Sequence, residues 1–196
     1  NLPVAAADLQ AAPLSLSQNR LWFLYNLEPD SAAYHIPMLL QIKQPNIQPL
    51  QQAFRQLLTH QQVLCSVIEE RDGSAWQQSV SADNFVLDVQ QSTKAQLPEQ
   101  IEAAIQLPFV LQTQLPIRAT LFRLEDGTDY LLILVHHIAF DGWSMDLLFS
   151  GLDQLYRQQQ SLPALDYQYR DYARWQQLQK TTAPSDAYLQ GFIQKL

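Results

Sequence analysis

Hydrophobic positions along this chain fall into two periods, one helical and one strand-like. Residues 47–60 set Ile47, Leu50, Phe54, Leu57 and Leu58 at helical spacing, with Asn46 placed to cap the helix. Residues 144–160 repeat the pattern with an inner stripe of Leu147, Leu148, Leu152 and Leu155. Ser144 stands at the N-cap position of that helix and Asp146 falls in its first turn, where a carboxylate meets the positive end of the dipole. SLSQNRLWFLYNL, 15–27, predicts a helix capped by Ser15 or Ser17 and ended by Pro29. Leu21, Trp22, Phe23, Leu24 and Leu27 make it apolar enough to be expected well buried. PEQIEAAIQ, 98–106, predicts a shorter helix with proline in its first turn.

Strand patterns lie between these helices: MLLQIK (38–43), LCSVIEE (64–70), AWQQSV (75–80), FVLDVQQ (85–91), IRATLFRL (117–124) and DYLLILVHH (129–137). Asp72–Gly73 and Asp126–Gly127 separate two pairs of them, which predicts two hairpins. The last strand is apolar at every position from Leu131 to Val135, the pattern of a strand covered on both faces. YQYRDYARWQQLQK, 167–180, is aromatic and basic, then rich in glutamine, with no evident closing core element. Helices and strands are mixed and hairpins are present. The expected class is therefore α/β (α+β), a mixed sheet flanked by helices.

The 196 residues suffice for one domain with a sizeable core, or for one lobe of a larger enzyme. Net charge is −7 and the 12 Lys and Arg are scattered, which argues against an electrostatic grip on nucleic acid or anionic lipid. Cys65 is the single cysteine, so no internal disulfide can form and a cytoplasmic setting is expected. No apolar run reaches the length of a membrane span. Residues 1–13 lack the basic and apolar regions of a signal peptide and are expected to be a linker or boundary segment.

The candidate chemistry lies in VHHIAFDGWS, 135–144, which holds two of the four histidines side by side. Here Asp141–Gly142 sits between a strand and a helix rather than in a hairpin, a common place for catalytic groups. Three readings compete. In the plainest, the histidines cap a buried strand and Asp–Gly makes the turn. In the second they bind a metal, but successive strand side chains point to opposite faces, so His136 and His137 do not easily converge on one ion. No Cys or further His stands at ligand spacing nearby, and no metal is expected. In the third, one histidine does acid–base work near neutrality while the other packs behind it. Periodicity does not say which, because both faces of the strand are apolar. Asp141 is either a third, triad-like member or a loop-holding charge. No protein nucleophile is evident, since Cys65 lies far off in a strand-like run, so direct transfer between two bound substrates is expected.

His136–His137–Ile138–Ala139–Phe140–Asp141–Gly142 resembles the HHxxxDG signature of the condensation domains of nonribosomal peptide synthetases, in the chloramphenicol acetyltransferase-like superfamily. LSLSQNRLWFLYNLEPDSAAYHIP, 14–37, resembles the first core motif of those domains, including Gln18, Arg20, Leu21 and Trp22. Pro108–Phe109, the Arg118–Ala119 strand and YQYRDYARW, 167–175, fall in the same order as in the family, so the resemblance runs from about Leu14 to about Trp175. One stretch departs. Where the family's second motif shows Arg-His-Glu and a later arginine, this chain has HQQVLCSVI, 60–68, with His60, Gln61, Gln62 and Cys65 in place of the charges.

The resemblance implies an N-terminal lobe over 14–180, with 181–196 beginning the connection to a C-terminal lobe that this chain does not include. It implies an amide-forming acyltransferase in which a donor acyl or peptidyl thioester meets the amine of an acceptor aminoacyl thioester. Both ride on phosphopantetheine arms of carrier proteins, and the lobe binds no cofactor itself. The expected partners are the donor and acceptor carrier proteins, the second lobe and neighbouring synthetase domains, with no nucleic acid and no membrane. His137 is implied as the catalytic residue. His136, Asp141 and Gly142 are structural in this reading, with Asp141 paired to an arginine of the missing lobe and Gly142 leaving room for the acceptor arm. Arg20, Trp143 and Ser144 are carried over as motif positions that support the tunnel. The lobe alone is expected to be inactive. The alternatives are a stand-alone coenzyme A-dependent acyltransferase of the same superfamily and a non-catalytic lobe that docks carrier proteins. The intact HHxxxDG separates the chain from cyclising relatives, but not from epimerising ones, which share the fold.

Overall fold

The structure is a computed structural model, and it describes residues 11–182. Twelve regular elements follow in the order β1 (Ala11–Pro13), α1 (Leu16–Leu27), β2 (His35–Lys43), α2 (Ile47–His60), β3 (Ser66–Arg71), β4 (Ser74–Ser79), β5 (Asp88–Ser92), α3 (Leu97–Gln106), β6 (Ile117–Leu124), β7 (Thr128–His136), α4 (Ser144–Tyr156) and α5 (Tyr169–Thr182). Short 3-10 turns at Gln62–Cys65, Ala82–Asn84 and His137–Ala139 join some of them.

The main sheet has the order β2-β7-β6-β5, with β5 parallel to β6 and the other pairings antiparallel. A smaller antiparallel sheet has the order β1-β4-β3. Both predicted hairpins form. In the first, Asp72 and Gly73 take positive φ of 50° and 73°, the sign a two-residue type I′ turn requires.

One core lies between the main sheet and α2 and α4, where Leu131, Ile133 and Val135 of β7 meet Phe54, Leu57, Leu148 and Leu152. A second core lies on the opposite face of β7, where Leu134 meets Leu14, Trp22, Tyr25, Phe109 and Leu111. β7 is therefore sandwiched, which explains its unbroken apolar run. At the α2–α4 crossing, a Cβ on Gly151 would stand 2.8 Å from Leu57 Cδ1, so any larger residue there would have to displace the Leu57 side chain in the core.

Several expectations are corrected. The final three residues of the stretch assigned as linker, Ala11–Pro13, form β1 against β4. Residues 1–10 and 183–196 lie outside the described residues. The segment 167–180 does close the structure, because α5 packs on β1 with Ala173 fully buried. The α1 helix is not well buried: Trp22 and Tyr25 turn inward, but Phe23 and Leu27 are 63% and 62% exposed. Leu147 is likewise exposed, and Gly151 takes its place in the α4 stripe beside Leu148, Leu152 and Leu155. Helix α4 ends at Tyr156 rather than 160. Asn46 contributes no side-chain cap to α2; its backbone amide donates instead to the Tyr156 hydroxyl at 2.9 Å. β5 begins at Asp88, three residues later than Phe85, and Leu64–Cys65 belong to a 3-10 turn ahead of β3.

Candidate active site

The last residue of β7 is His136, and a 3-10 turn starts at His137. This break divides the two histidines. His136 is 2% exposed on the second-core face, ringed edge-on or tilted by Tyr25, Tyr34, His35 and Phe109 at centroid distances of 6.1, 6.3, 6.0 and 5.8 Å. Its Nδ1 accepts the Ile138 backbone N–H at 3.1 Å. An accepting Nδ1 places the ring proton of the neutral form on Nε2. Burial, then the nearby charges of His35 and His137, lower its pKa from 6.5 to about 4. A ring so buried carries no proton charge at neutral pH.

His137 is exposed, and its ring has no hydrogen-bond partner among the described residues. Its backbone is fixed, however: His137 N–H donates to Tyr34 O at 2.8 Å, directly beyond the His35–His136 pair of the β2–β7 ladder. The two rings are thus split by the turn that begins at His137, and an imidazole with no hydrogen-bond partner among the described residues stands just past the end of β7. Sequence periodicity does not reveal His35, which faces His136 from the neighbouring strand. The signal lies in its pairing partner rather than in its own surroundings.

The turn after the histidines is set by Asp141. Its carboxylate Oδ1 accepts both the backbone N–H of Ser144 at 3.0 Å and its hydroxyl at 2.7 Å. Ser144 is therefore not the cap: it is the first residue of α4, and Asp141 supplies the capping oxygen. Gly142 is exposed, and a Cβ added there would meet no atom within 4 Å. Trp143 is 90% exposed. Arg20 is exposed on the outer side of α1 beside Phe23 and Leu24. The structure therefore gathers His136, His137, Asp141, Gly142, Trp143 and Ser144 in one turn, with Arg20 on a separate helix surface.

The departures at 60–65 have local explanations. His60 Nε2 donates to Pro163 O at 2.7 Å, while Gln168 donates to His60 O at 3.0 Å and accepts the Gln62 amide at 3.1 Å. Hydrogen bonds from the 163–168 segment thus hold this stretch. Cys65 is buried, its thiol donates to Val80 O, and burial followed by the Asp83 charge raises its pKa to about 11. Such a thiol is a poor nucleophile. Among the described residues no three His, Cys, Asp or Glu side chains are gathered as a metal site, and no helix is long and apolar enough to cross a membrane. Beside Ser144 lies a hollow of about 50 Å3, lined by Val63, Leu64, Phe140, Leu147 and Leu148. That volume holds a water or two, not a substrate.

The sequence profile of the condensation domain matches residues 9–189. The chain belongs to the condensation-domain family. The curated relatives it matches include nonribosomal peptide synthetases. This condensation-domain chain is 36% identical over 190 residues to a linear gramicidin synthase of Brevibacillus parabrevis, covering 89% of the chain and 4% of that protein. It is 32% identical over 173 residues to the probable non-canonical nonribosomal peptide synthetase CymA of Salinispora arenicola (strain CNS-205), covering 85% of the chain and 2% of the relative. The chain thus spans a few hundredths of the length of these relatives. Among solved structures, the X-domain of teicoplanin biosynthesis in its complex with OxyB superposes with a TM-score of 0.84 at 24% identity, over 95% of the chain and 42% of that structure. That likeness shows the fold.

Proposed function

We propose that this chain is the N-terminal lobe of a peptide-bond-forming condensation domain and that His137 is its catalytic residue. The observation that carries the reading is the division of the two histidines. His136 is buried and held in its neutral form, whereas His137 presents a ring with no partner among the described residues at the end of a fully covered strand.

In this reading a donor thioester and an acceptor amine arrive on the phosphopantetheine arms of two carrier proteins. The amine attacks the thioester carbonyl, a C–N bond forms, the C–S bond breaks, and the thiolate leaves with the proton the amine loses. His137 stands where it can relay that proton or orient the amine, and closeness of the two arms supplies much of the rate. His136 and Asp141 are structural. The lobe holds no cofactor of its own. The second lobe supplies the opposite tunnel wall, with an arginine for Asp141.

The test is a two-carrier condensation assay with the full-length synthetase. His137→Ala is expected to abolish peptide formation while leaving the circular dichroism spectrum unchanged. Product formed at the wild-type rate would refute the assignment. The isolated lobe is expected to form no product, and turnover by it would refute the two-lobe reading.

A further inference from the structure

Where His137 points depends on the end of the strand beneath it, and one side chain ties that end to the rest of the lobe. His35 pairs with His136 across the β2–β7 ladder, with ring centroids 6.0 Å apart. Its Nδ1–H donates to Ile105 O at 2.7 Å, in the last turn of α3. Its ring also stands edge-on to Phe109 at 5.0 Å, and the Arg118 guanidinium covers that phenyl ring at 4.0 Å. Arg118 in turn donates to the carbonyls of Leu107 and Pro108. Helix α3 has no fully buried residue, and its C-terminal end is held by these contacts together with the packing of half-buried Ile105 against the second core.

The two rings are also complementary in their protons. A donating Nδ1 leaves His35 Nε2 bare, whereas His136 accepts at Nδ1 and carries its proton on Nε2. Neither ring gains from a second proton. Burial, opposed by the Ile105 carbonyl and reinforced by the Arg118 charge, lowers the pKa of His35 as well.

We propose that His35 is a positioning residue for His137, acting through the His35–His136 cross-strand pair and the adjoining Tyr34–His137 backbone bond. The inference rests on the reading of His137 as the working imidazole. If the Ile105 tie is lost, the end of β7 loses its lateral support, and His137 leaves the line of attack without any substrate contact being removed. A displacement on the order of 1 Å at a reacting group costs about 100-fold in rate. The effect should therefore fall on kcat and not on KM.

The test uses the full-length synthetase in the two-carrier assay, with His137→Ala as the control. His35→Leu removes both ring and donor, and His35→Phe keeps a ring without the donor. His35→Asn keeps an N–H close to the position of Nδ1. Both apolar variants are expected to lower kcat by about 10- to 100-fold with KM for each carrier within about threefold, and Asn to restore kcat to within about threefold of wild type. Wild-type kcat in the Leu or Phe variant, or an Asn variant no better than Leu, overturns the proposal. If neither apolar variant folds, the Asn variant decides: near wild-type kcat supports the tie to Ile105, and a 10-fold loss overturns it. An active His137→Ala control would instead overturn the catalytic reading itself, which is a distinguishable outcome.

Discussion

Asp141 and Ser144 form a reciprocal pair at the mouth of α4: the carboxylate takes the Ser144 amide at 3.0 Å and its hydroxyl at 2.7 Å, and the Ser144 oxygen faces the Asp141 amide at 3.5 Å. The acidic residue of the HHxxxDG motif thus caps a helix, whatever else it does. Losing such a cap costs about 1 kcal/mol, which lowers the Tm of a domain of this size by roughly 2–4 °C. Asp141→Ala should show that loss in a thermal melt of the chain, whereas Asp141→Asn, which keeps a capping oxygen, should melt close to wild type. If Asp141 also pairs with an arginine of the second lobe, the Asn variant separates the two roles: stable lobe, impaired condensation.

The second prediction concerns acid. The pKa of His136 is lowered in the fold to about 4, mainly by burial. In the unfolded chain it returns to about 6.5. Between those values the unfolded state binds the extra proton, so stability is complete above about pH 6.5 and falls as pH drops toward 4. The shift corresponds to about 3 kcal/mol for this single group. His35, on the strand opposite, is shifted in the same direction and adds to the loss, while Arg118 stays charged throughout. Urea unfolding at pH 7.5, 6, 5 and 4 should show the decline, and His136→Phe should flatten much of it. An unchanged slope in that variant would place the acid sensitivity elsewhere.

The hairpins and the buried strand are legible in the sequence because their causes are local. Asp–Gly at a two-residue turn and five consecutive apolar residues in β7 each carry their own signal. The capping of α4 is half legible: the pattern singles out the right residues but gives the serine the aspartate's role. α1 and Leu147 mislead for a shared reason, since periodicity assumes that an apolar side chain faces inward, yet Phe23, Leu27 and Leu147 are each more than 60% exposed. His35 is invisible because its importance arises from register: it is brought to His136 by pairing across about a hundred residues of chain, and no local pattern reports that.

Gln168 gives a third test. It reaches back to the 60–62 stretch with two hydrogen bonds, donating to His60 O and accepting from Gln62 N. Each such bond contributes roughly 0.5–1.5 kcal/mol net. Gln168→Ala should therefore lower the unfolding free energy by about 1–3 kcal/mol, and Gln168→Glu, which keeps an acceptor but loses the donor, should lie between. Urea midpoints of the three proteins measure this directly. A Gln168→Ala midpoint equal to wild type would mean that the Gln168 side chain does not hold the 60–62 stretch, leaving the His60–Pro163 bond to do so.

Gly142 separates folding from function most sharply. Its φ is not in the positive range that favours glycine, and a Cβ there meets no atom within 4 Å. Nothing among the described residues requires a glycine at that position. Gly142→Ala should melt at or slightly above the wild-type temperature, because alanine restricts the unfolded chain more than glycine does, by about 0.4–1 kcal/mol. If the acceptor arm passes over this residue, bulk added there obstructs it. Gly142→Val in the full-length synthetase should then lower condensation at least about 10-fold, with Gly142→Ala intermediate, while donor loading is unaffected. Paired melts and two-carrier assays on the same preparations check both halves. A Val variant that is stable and fully active would show that the glycine of the motif is not reserved for the arm.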